Sequence, residues 1–370
     1  MSKIKEIVKN ITCKIPVIKN QVGSENPVRA QMEKMARSRP FDIALETYSR
    51  CNSRCVFCAY RKVRRKKELM PMELFEKICN EYVAMGGGSF GFAPLLADPL
   101  LDPFLLDRMR LARKWHPAIR MYLFTNAIQF SRFSDEDILF ILDSIEGMNI
   151  SLSALSRDDY IKMFQVDKYD AVMNTMDRIN RLIKKVEFPP DIVLHMRTSQ
   201  KEATLESQSY KKLVDMGFNC GDVADIFSNW GGIIEENELP EGTQLLSPDN
   251  SQATIACLIP MLSLTITADG NVLACGCFDA AMEHVVGNVG SETLEEIWRG
   301  DKFKSFRESF KKNRIAEICR TCAQYTPYRD VFSQPAFDGF KPEVHSFWST
   351  LHHQRPYSHS IVNKKDFRYF

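Results

Sequence analysis

Cys51, Cys55 and Cys58 are spaced C-x3-C-x2-C directly after a strand-like run, Phe41–Tyr48. Three thiolates on one short loop can each bind a different iron of a cubic 4Fe–4S cluster, which leaves the fourth iron without a protein ligand. An open metal position is a place to bind and activate a small molecule. A zinc knuckle or a set of buried thiols is the alternative. Zinc sites usually pair C-x2-C with a second pair, and the triplet spacing fits them poorly.

A second set lies further along. Cys257, Gly270 and Cys275 form a C-x12-G-x4-C arrangement, and Cys319 and Cys322 follow as C-x2-C. Four cysteines saturate a 4Fe–4S cluster, whose work is then electron transfer. By count alone the same four could hold zinc in an all-thiolate site. If the strand before Cys275 continues, Cys277 points to the same side, where it could replace a ligand or donate a hydrogen atom. Cys220 is the other candidate hydrogen donor. Cys13, Cys79 and Cys220 lie outside any cluster pattern, and the default for each is a small buried hydrophobe.

These cysteines need elements to hold them. Alternation predicts strands at Phe41–Tyr48, Ser89–Ala93, Met121–Phe124, Asn149–Ala154, Asp191–Met196 and Asp222–Ser228. Helical stretches fall between them at Met72–Met85, Phe104–Trp115, Asp135–Ser144, Tyr169–Lys185 and Leu205–Met216. Pro71 opens the first helix and Gly86 closes it; Pro117 follows the second and Gly217 the last. Strands separated by helices pair in parallel with right-handed crossovers. Six such units fit an α/β fold, a partial (β/α)6 TIM-like barrel whose chemistry sits at the carboxyl ends of the strands. A hairpin turning at Asp269-Gly270 begins a small carboxyl-terminal α+β module.

The organisation follows as a basic leader over 1–40, the barrel over 41–235, a connector over 236–256, the cysteine module over 257–325 and a tail over 326–370. The tail carries four of the seven histidines, His345, His352, His353 and His359, and reads as ordinary packing. The chain has 370 residues, 26% of them charged, with a net charge of +2. Nothing in that balance points to nucleic acid or a membrane surface. No apolar run is long enough to cross a bilayer, and no signal peptide is visible. Eleven cysteines without an export signal argue for metal ligation in a reducing, cytoplasmic compartment rather than for disulfides. The basic run Arg61-Lys62-Val63-Arg64-Arg65-Lys66-Lys67 reads as a solvated loop, or as a docking patch for an acidic electron donor or anionic substrate.

The first triplet, with Phe57 before its third cysteine, resembles the signature of the radical SAM (S-adenosylmethionine) superfamily. The resemblance implies that SAM chelates the open iron and is cleaved to a 5′-deoxyadenosyl radical that takes a substrate hydrogen atom. It also implies cofactor contacts. Asp98, in Leu96-Ala97-Asp98-Pro99, stands where the family carries Gly-Gly-Glu-Pro, and the two glycines are missing. Thr125 and Asn126 resemble a Thr-Asn-Gly element. Ser151 and Ser153 match serines that contact SAM, and Arg197 could pair with its carboxylate. The second set resembles the SPASM/Twitch auxiliary module. No cysteine follows Cys322, so the single-cluster form fits best, and the implied complement is two 4Fe–4S clusters and SAM.

The expected function is oxidation of a small sugar-like or aminocyclitol metabolite in biosynthesis, with reduced flavodoxin or ferredoxin as electron donor. Radical epimerisation with a cysteine donor and oxidative crosslinking of a peptide are the alternatives within the superfamily. A non-catalytic zinc-binding module is the alternative outside it.

Overall fold

The computed structural model describes residue 34 and residues 36–92, 95–276, 278–312 and 314–328. The leader, the tail and Cys277 therefore lie outside the described residues, wholly or for the most part. In chain order the elements begin with β1 (Asp42–Leu45), α1 (Met72–Ala84), β2 (Gly88–Phe92), α2 (Leu105–Arg113), β3 (Ile119–Thr125) and α3 (Asp135–Ser144). Next come β4 (Ile145–Leu152), α4 (Arg157–Phe164), α5 (Tyr169–Ile183), β5 (Asp191–Arg197), α6 (Lys201–Glu206), α7 (Gln208–Asp215) and β6 (Asn219–Ala224). The remainder are β7 (Ile226–Ser228), β8 (Gln244–Leu246), α8 (Leu258–Leu262), β9 (Ser263–Ile266), β10 (Asn271–Leu273), β11 (Val285–Asn288), α9 (Leu294–Arg299), α10 (Asp301–Ser309) and α11 (Glu317–Arg320).

Strands β1 to β6 run parallel in sequence order, as a partial barrel of βα units requires. The helices cover one face of this sheet. In α5, Val172, Met176, Ile179 and Leu182 are buried at helical spacing, each contributing about 1.5–3 kcal/mol. Between α1 and β2 the chain turns through Gly86 and Gly87, both at positive φ. A side chain at Gly87 would meet the Ala118 carbonyl oxygen at 2.0 Å, so only glycine allows that approach.

An open barrel leaves β1 with a free edge, and such edges must be covered. Here β9 covers it, pairing parallel with β1 from Asp42↔Ser263 to Leu45↔Ile266. The cysteine-module hairpin β9–β10 and strand β11 thus extend the barrel sheet to nine strands in the order β11-β10-β9-β1-β2-β3-β4-β5-β6.

Several sequence expectations need correction. The run Asp222–Ser228 splits into β6 and β7, and β7 pairs with β8 in a separate two-stranded sheet. The stretch Leu205–Met216 breaks at Ser207, whose hydroxyl accepts from Tyr210 N and caps α7. Helix α4 was not expected, being short and polar, although Ser156 caps it through Asp159 N. Strand β10 ends at Leu273, so alternation does not relate Cys275 to Cys277.

Candidate active site

The cysteine triplet lies on the loop after β1 and is fastened to α4. Arg54 N donates to Phe164 O at 3.2 Å, Val56 N to Met163 O at 3.0 Å and Ser53 Oγ to Phe164 O at 2.8 Å. These donors satisfy carbonyls that the end of α4 leaves open. The Phe57 ring stacks on Phe227 at 4.9 Å and meets Phe164 edge-on at 5.6 Å.

Cys51, Cys55 and Cys58 lie within electrostatic reach of one another. Burial pushes the Cys55 thiol up to about 12 and Cys58 to about 11, and Cys51 rises well above its ordinary value for the same reason. Ser53 Oγ sits 3.1 Å from Cys55 Sγ, and Asn126 Nδ2 points at Cys51 Sγ from 3.8 Å. Three mutually repelling, desolvated thiols fit a cationic partner, which makes the thiolate the favoured form. No group of three or more His, Cys, Asp or Glu among the described residues is placed to hold a single ion. A cubane demands less convergence, because each sulfur takes a different iron.

Asp98 is buried beside this loop. Its Oδ1 accepts from Leu100 N at 3.0 Å and its Oδ2 from Asn126 N at 2.8 Å, while Thr125 Oγ1 donates to both oxygens. Burial lifts its carboxyl to about 6, against the lowering effect of those donors. The structure thus gives Asp98 the work of joining the turn after β2 to the end of β3. Asn126 then bonds Asn52 Oδ1 at 2.8 Å within the cluster loop.

The inner face of the sheet is read from alternation. Met148, Ile150 and Leu152 of β4 and Ile192, Leu194 and Met196 of β5 belong to the main apolar core. The residues between them, Asn149, Ser151, Val193, His195 and Arg197, are half-buried on the other face. Asn149 Oδ1 and His195 Nε2 are 2.8 Å apart. Ser151 and Arg197 therefore share one partly open surface near the carboxyl ends of the strands. Ser153 does not: it follows the end of β4, is buried, and donates to Asp159 Oδ2 at 2.6 Å. Cys220 packs against the main core and is coupled to Tyr210 of α7, which sets it apart from the half-open face. Sequence reading passed over His195, although its place in Asp191-Ile-Val-Leu-His-Met-Arg197 put it on the same alternation as Arg197.

Much of the basic run is neutralised. Arg65 holds buried Glu46 with two bonds of 2.8 and 3.1 Å, and Arg61 and Lys62 pair with Glu238 at 3.2 and 2.6 Å. Lys66 pairs with Glu68. The loop therefore clamps β1 to the connector.

The second cysteine set is also assembled. Cys319 is coupled electrostatically to Cys275, Cys257 and Cys322. Asn250 Nδ2 donates to the carbonyls of Cys319 and Cys322 at 3.0 and 2.9 Å, fixing the C-x2-C turn. Cys257 occupies the residue position just before α8, and Leu258 N donates to Thr326 O at 2.8 Å, which closes the module. Burial raises Cys257 to about 11 and Cys322 to about 12. The same donor-set argument holds here: four desolvated thiols with mutual repulsion fit a metal cluster.

A family described as the Radical SAM superfamily matches residues 45–194, and one described as an iron-sulfur cluster-binding domain, SPASM, matches residues 257–323. The S-adenosyl-L-methionine-dependent 2-deoxy-scyllo-inosamine dehydrogenase of Niallia circulans is 32% identical over 99 residues, 26% of this chain and 35% of that protein. The chain thus spans about a third of the length of that curated relative. The crystal structure of BtrN in complex with AdoMet and 2-DOIA superposes with a TM-score of 0.52 at 20% identity, covering 76% of this chain and 92% of BtrN. Streptococcus suis SuiB bound to precursor peptide SuiA gives 0.53 at 14% identity, covering 92% and 85%. At these identities the two structures speak for the fold alone.

Proposed function

The chain belongs to the radical SAM superfamily and carries a SPASM domain, and we propose that it oxidises a sugar-like or aminocyclitol alcohol by two electrons. Cys51, Cys55 and Cys58 would hold a 4Fe–4S cluster with an open iron for SAM. Cys257, Cys275, Cys319 and Cys322 would hold a saturated auxiliary cluster. Bound there, the clusters would supply one electron to split SAM and accept one from the substrate radical; the C–H hydrogen would leave on 5′-deoxyadenosine and the O–H proton would pass to a base, so that the alcohol becomes a carbonyl while methionine is released.

The protein's own residues orient and enclose. Asp98 fixes Thr125 and Asn126 beside Cys51. Ser151 and Arg197 line the half-open face, where Arg197 can pair bidentately with the SAM carboxylate. The Asn149–His195 pair on that face offers polar contacts to a hydroxylated substrate. The observation that carries this reading is the pairing of β1 with β9. It joins the strand before the open triplet to the hairpin before Cys275, so a radical formed at one site has an electron acceptor in the same sheet. The partial likeness to an aminocyclitol dehydrogenase supports the substrate class.

Anaerobically reconstituted protein should hold about eight irons per chain. With reductant and SAM it should release 5′-deoxyadenosine, and Cys51→Ala should abolish that release. With a panel of aminocyclitols, the native chain should give a product two electrons poorer. Cys319→Ala should lose that product while still cleaving SAM. Zinc in place of iron, or SAM cleavage surviving in Cys51→Ala, defeats the assignment. A product carrying one solvent deuterium without net oxidation would replace dehydrogenation by epimerisation.

A further inference from the structure

We propose that the Tyr160 hydroxyl donates a hydrogen bond to a sulfur of the amino-terminal cluster and raises its reduction potential; this rests on the triplet holding a 4Fe–4S cluster.

Tyr160 lies one turn before Phe164 on α4, the helix whose last carbonyls receive the cluster loop. At i and i+4 the two side chains share a face, and their rings stack at 4.7 Å and 9°. Tyr169 meets the Tyr160 ring edge-on at 6.0 Å. The ring is thus held from two sides, and the residue is fully buried. Its hydroxyl has no hydrogen-bond partner among the described residues. A buried phenol without a partner is uncommon and calls for one.

The charged groups within electrostatic reach of this hydroxyl are Cys55, Asp98 and Cys51. Asp98 is already engaged on both oxygens by Leu100, Thr125 and Asn126. Ser53 Oγ spends its proton on Phe164 O at 2.8 Å. That leaves the triplet thiols, Cys55 and Cys51, as the groups toward which the hydroxyl is turned; it bonds neither of them directly, so a sulfur of the bound cluster is the acceptor left to it. Donors to cluster sulfur stabilise the reduced, more negative state and shift the potential upward.

The test compares the native chain with Tyr160→Phe, which keeps the stacked ring and removes only the donor. Reconstituted proteins are titrated anaerobically, and the SAM-sensitive cubane signal is followed by electron paramagnetic resonance. The potential of that signal should fall in Tyr160→Phe, while the SAM-insensitive signal keeps its potential. Tyr169→Phe, whose hydroxyl pairs with Ser209 Oγ at 2.8 Å, should behave as native. A native cubane with an unchanged potential in Tyr160→Phe overturns this proposal alone. A shift seen only after SAM is added assigns the donor to the nucleoside and overturns the sulfur contact. No cubane in the native chain overturns the cluster reading and this proposal together.

Discussion

Trp230 donates its indole Nε1–H to the carbonyl oxygen of Phe57 at 2.8 Å. Phe57 precedes Cys58, so the bond ties the cluster loop to a segment far along the chain. The Trp230 ring also meets Phe278 edge-on at 5.3 Å. Trp230, Gly231 and Gly232 all sit at positive φ, and a side chain on Gly231 would strike Ile318 Cγ1 at 2.6 Å. Ile318 precedes Cys319. This one turn therefore presses on both cysteine sets. Trp230→Phe should keep most of the packing but leave the Phe57 carbonyl without its donor, a loss of about 1 kcal/mol. Gly231→Ala meets both strain and a clash, and should cost about 1–3 kcal/mol. Anaerobic thermal denaturation checks both. The same samples should show Gly231→Ala losing iron from the auxiliary site before the amino-terminal one.

Arg108 and Asp102 form a fully buried ion pair, Nε to Oδ2 at 2.7 Å. Arg108 also donates to the Met70 carbonyl and lies over the Phe75 ring, while Asp102 Oδ1 accepts from Phe104 N at 2.8 Å. Arg108→Leu leaves the buried Asp102 carboxylate without its hydrogen-bonded ion partner, and removal of one partner of such a pair typically costs about 3–5 kcal/mol. Denaturant unfolding at neutral pH measures it. If Asp102→Asn is added to Arg108→Leu, part of that loss should return, because the buried charge that lost its paired guanidinium is gone.

The barrel strands were legible because each is a short run bounded by turn residues and separated by an amphipathic helix. The cysteine sets were legible because their chemistry fixes their spacing. What stayed hidden depended on contacts distant in sequence. Nothing in Ser263–Ile266 announces that it will lie beside Asp42–Leu45 rather than start a separate sheet. Helix α4 was missed because its first turn, Arg157-Asp158-Asp159, is polar and only its end is apolar. With it went the stacked Tyr160 and the clamp on the cluster loop. The family resemblance matched Ser153 together with Ser151 to serines that contact SAM, yet β4 stops at Leu152 and Asp159 of that unexpected helix takes the Ser153 hydroxyl. For the basic run, the partners Glu46 and Glu238 lie in other segments, so a reading of local charge left it bare.

Asp135 at the start of α3 binds Arg178 Nε at 2.5 Å and Arg181 Nη2 at 2.7 Å, both on α5. These two donors hold its carboxyl below the usual carboxylate range. A depressed folded-state value means the folded chain binds fewer protons than the unfolded one as the pH falls. The stabilisation is therefore present above the ordinary aspartate range and is lost as pH falls through the folded value. Asp135→Asn should lower the melting temperature at pH 7, and the difference from the native chain should close on acidification. High salt should also shrink it, since the groups are solvent-accessible. A difference that stays constant from pH 7 to strong acid would remove the ion pair as its cause.

Asp98 offers a test that separates positioning from direct cofactor contact. Its two oxygens gather donors from Leu100 N, Thr125 Oγ1 and Asn126 N, and Asn126 in turn faces Cys51 and Asn52. Asp98→Asn places an amide N–H against at least one of these donors, and each buried group left unsatisfied costs about 1–3 kcal/mol. Thermal stability should fall, and the Asn126 contact to the cluster loop should loosen. If Asp98 acts through Asn126, the variant Asn126→Ala should reproduce the loss of 5′-deoxyadenosine release with a smaller loss of stability. Combining the two changes should then add little to either, because both act through one side chain. Additive losses in SAM cleavage would instead mean that Asp98 contacts the nucleoside on its own account.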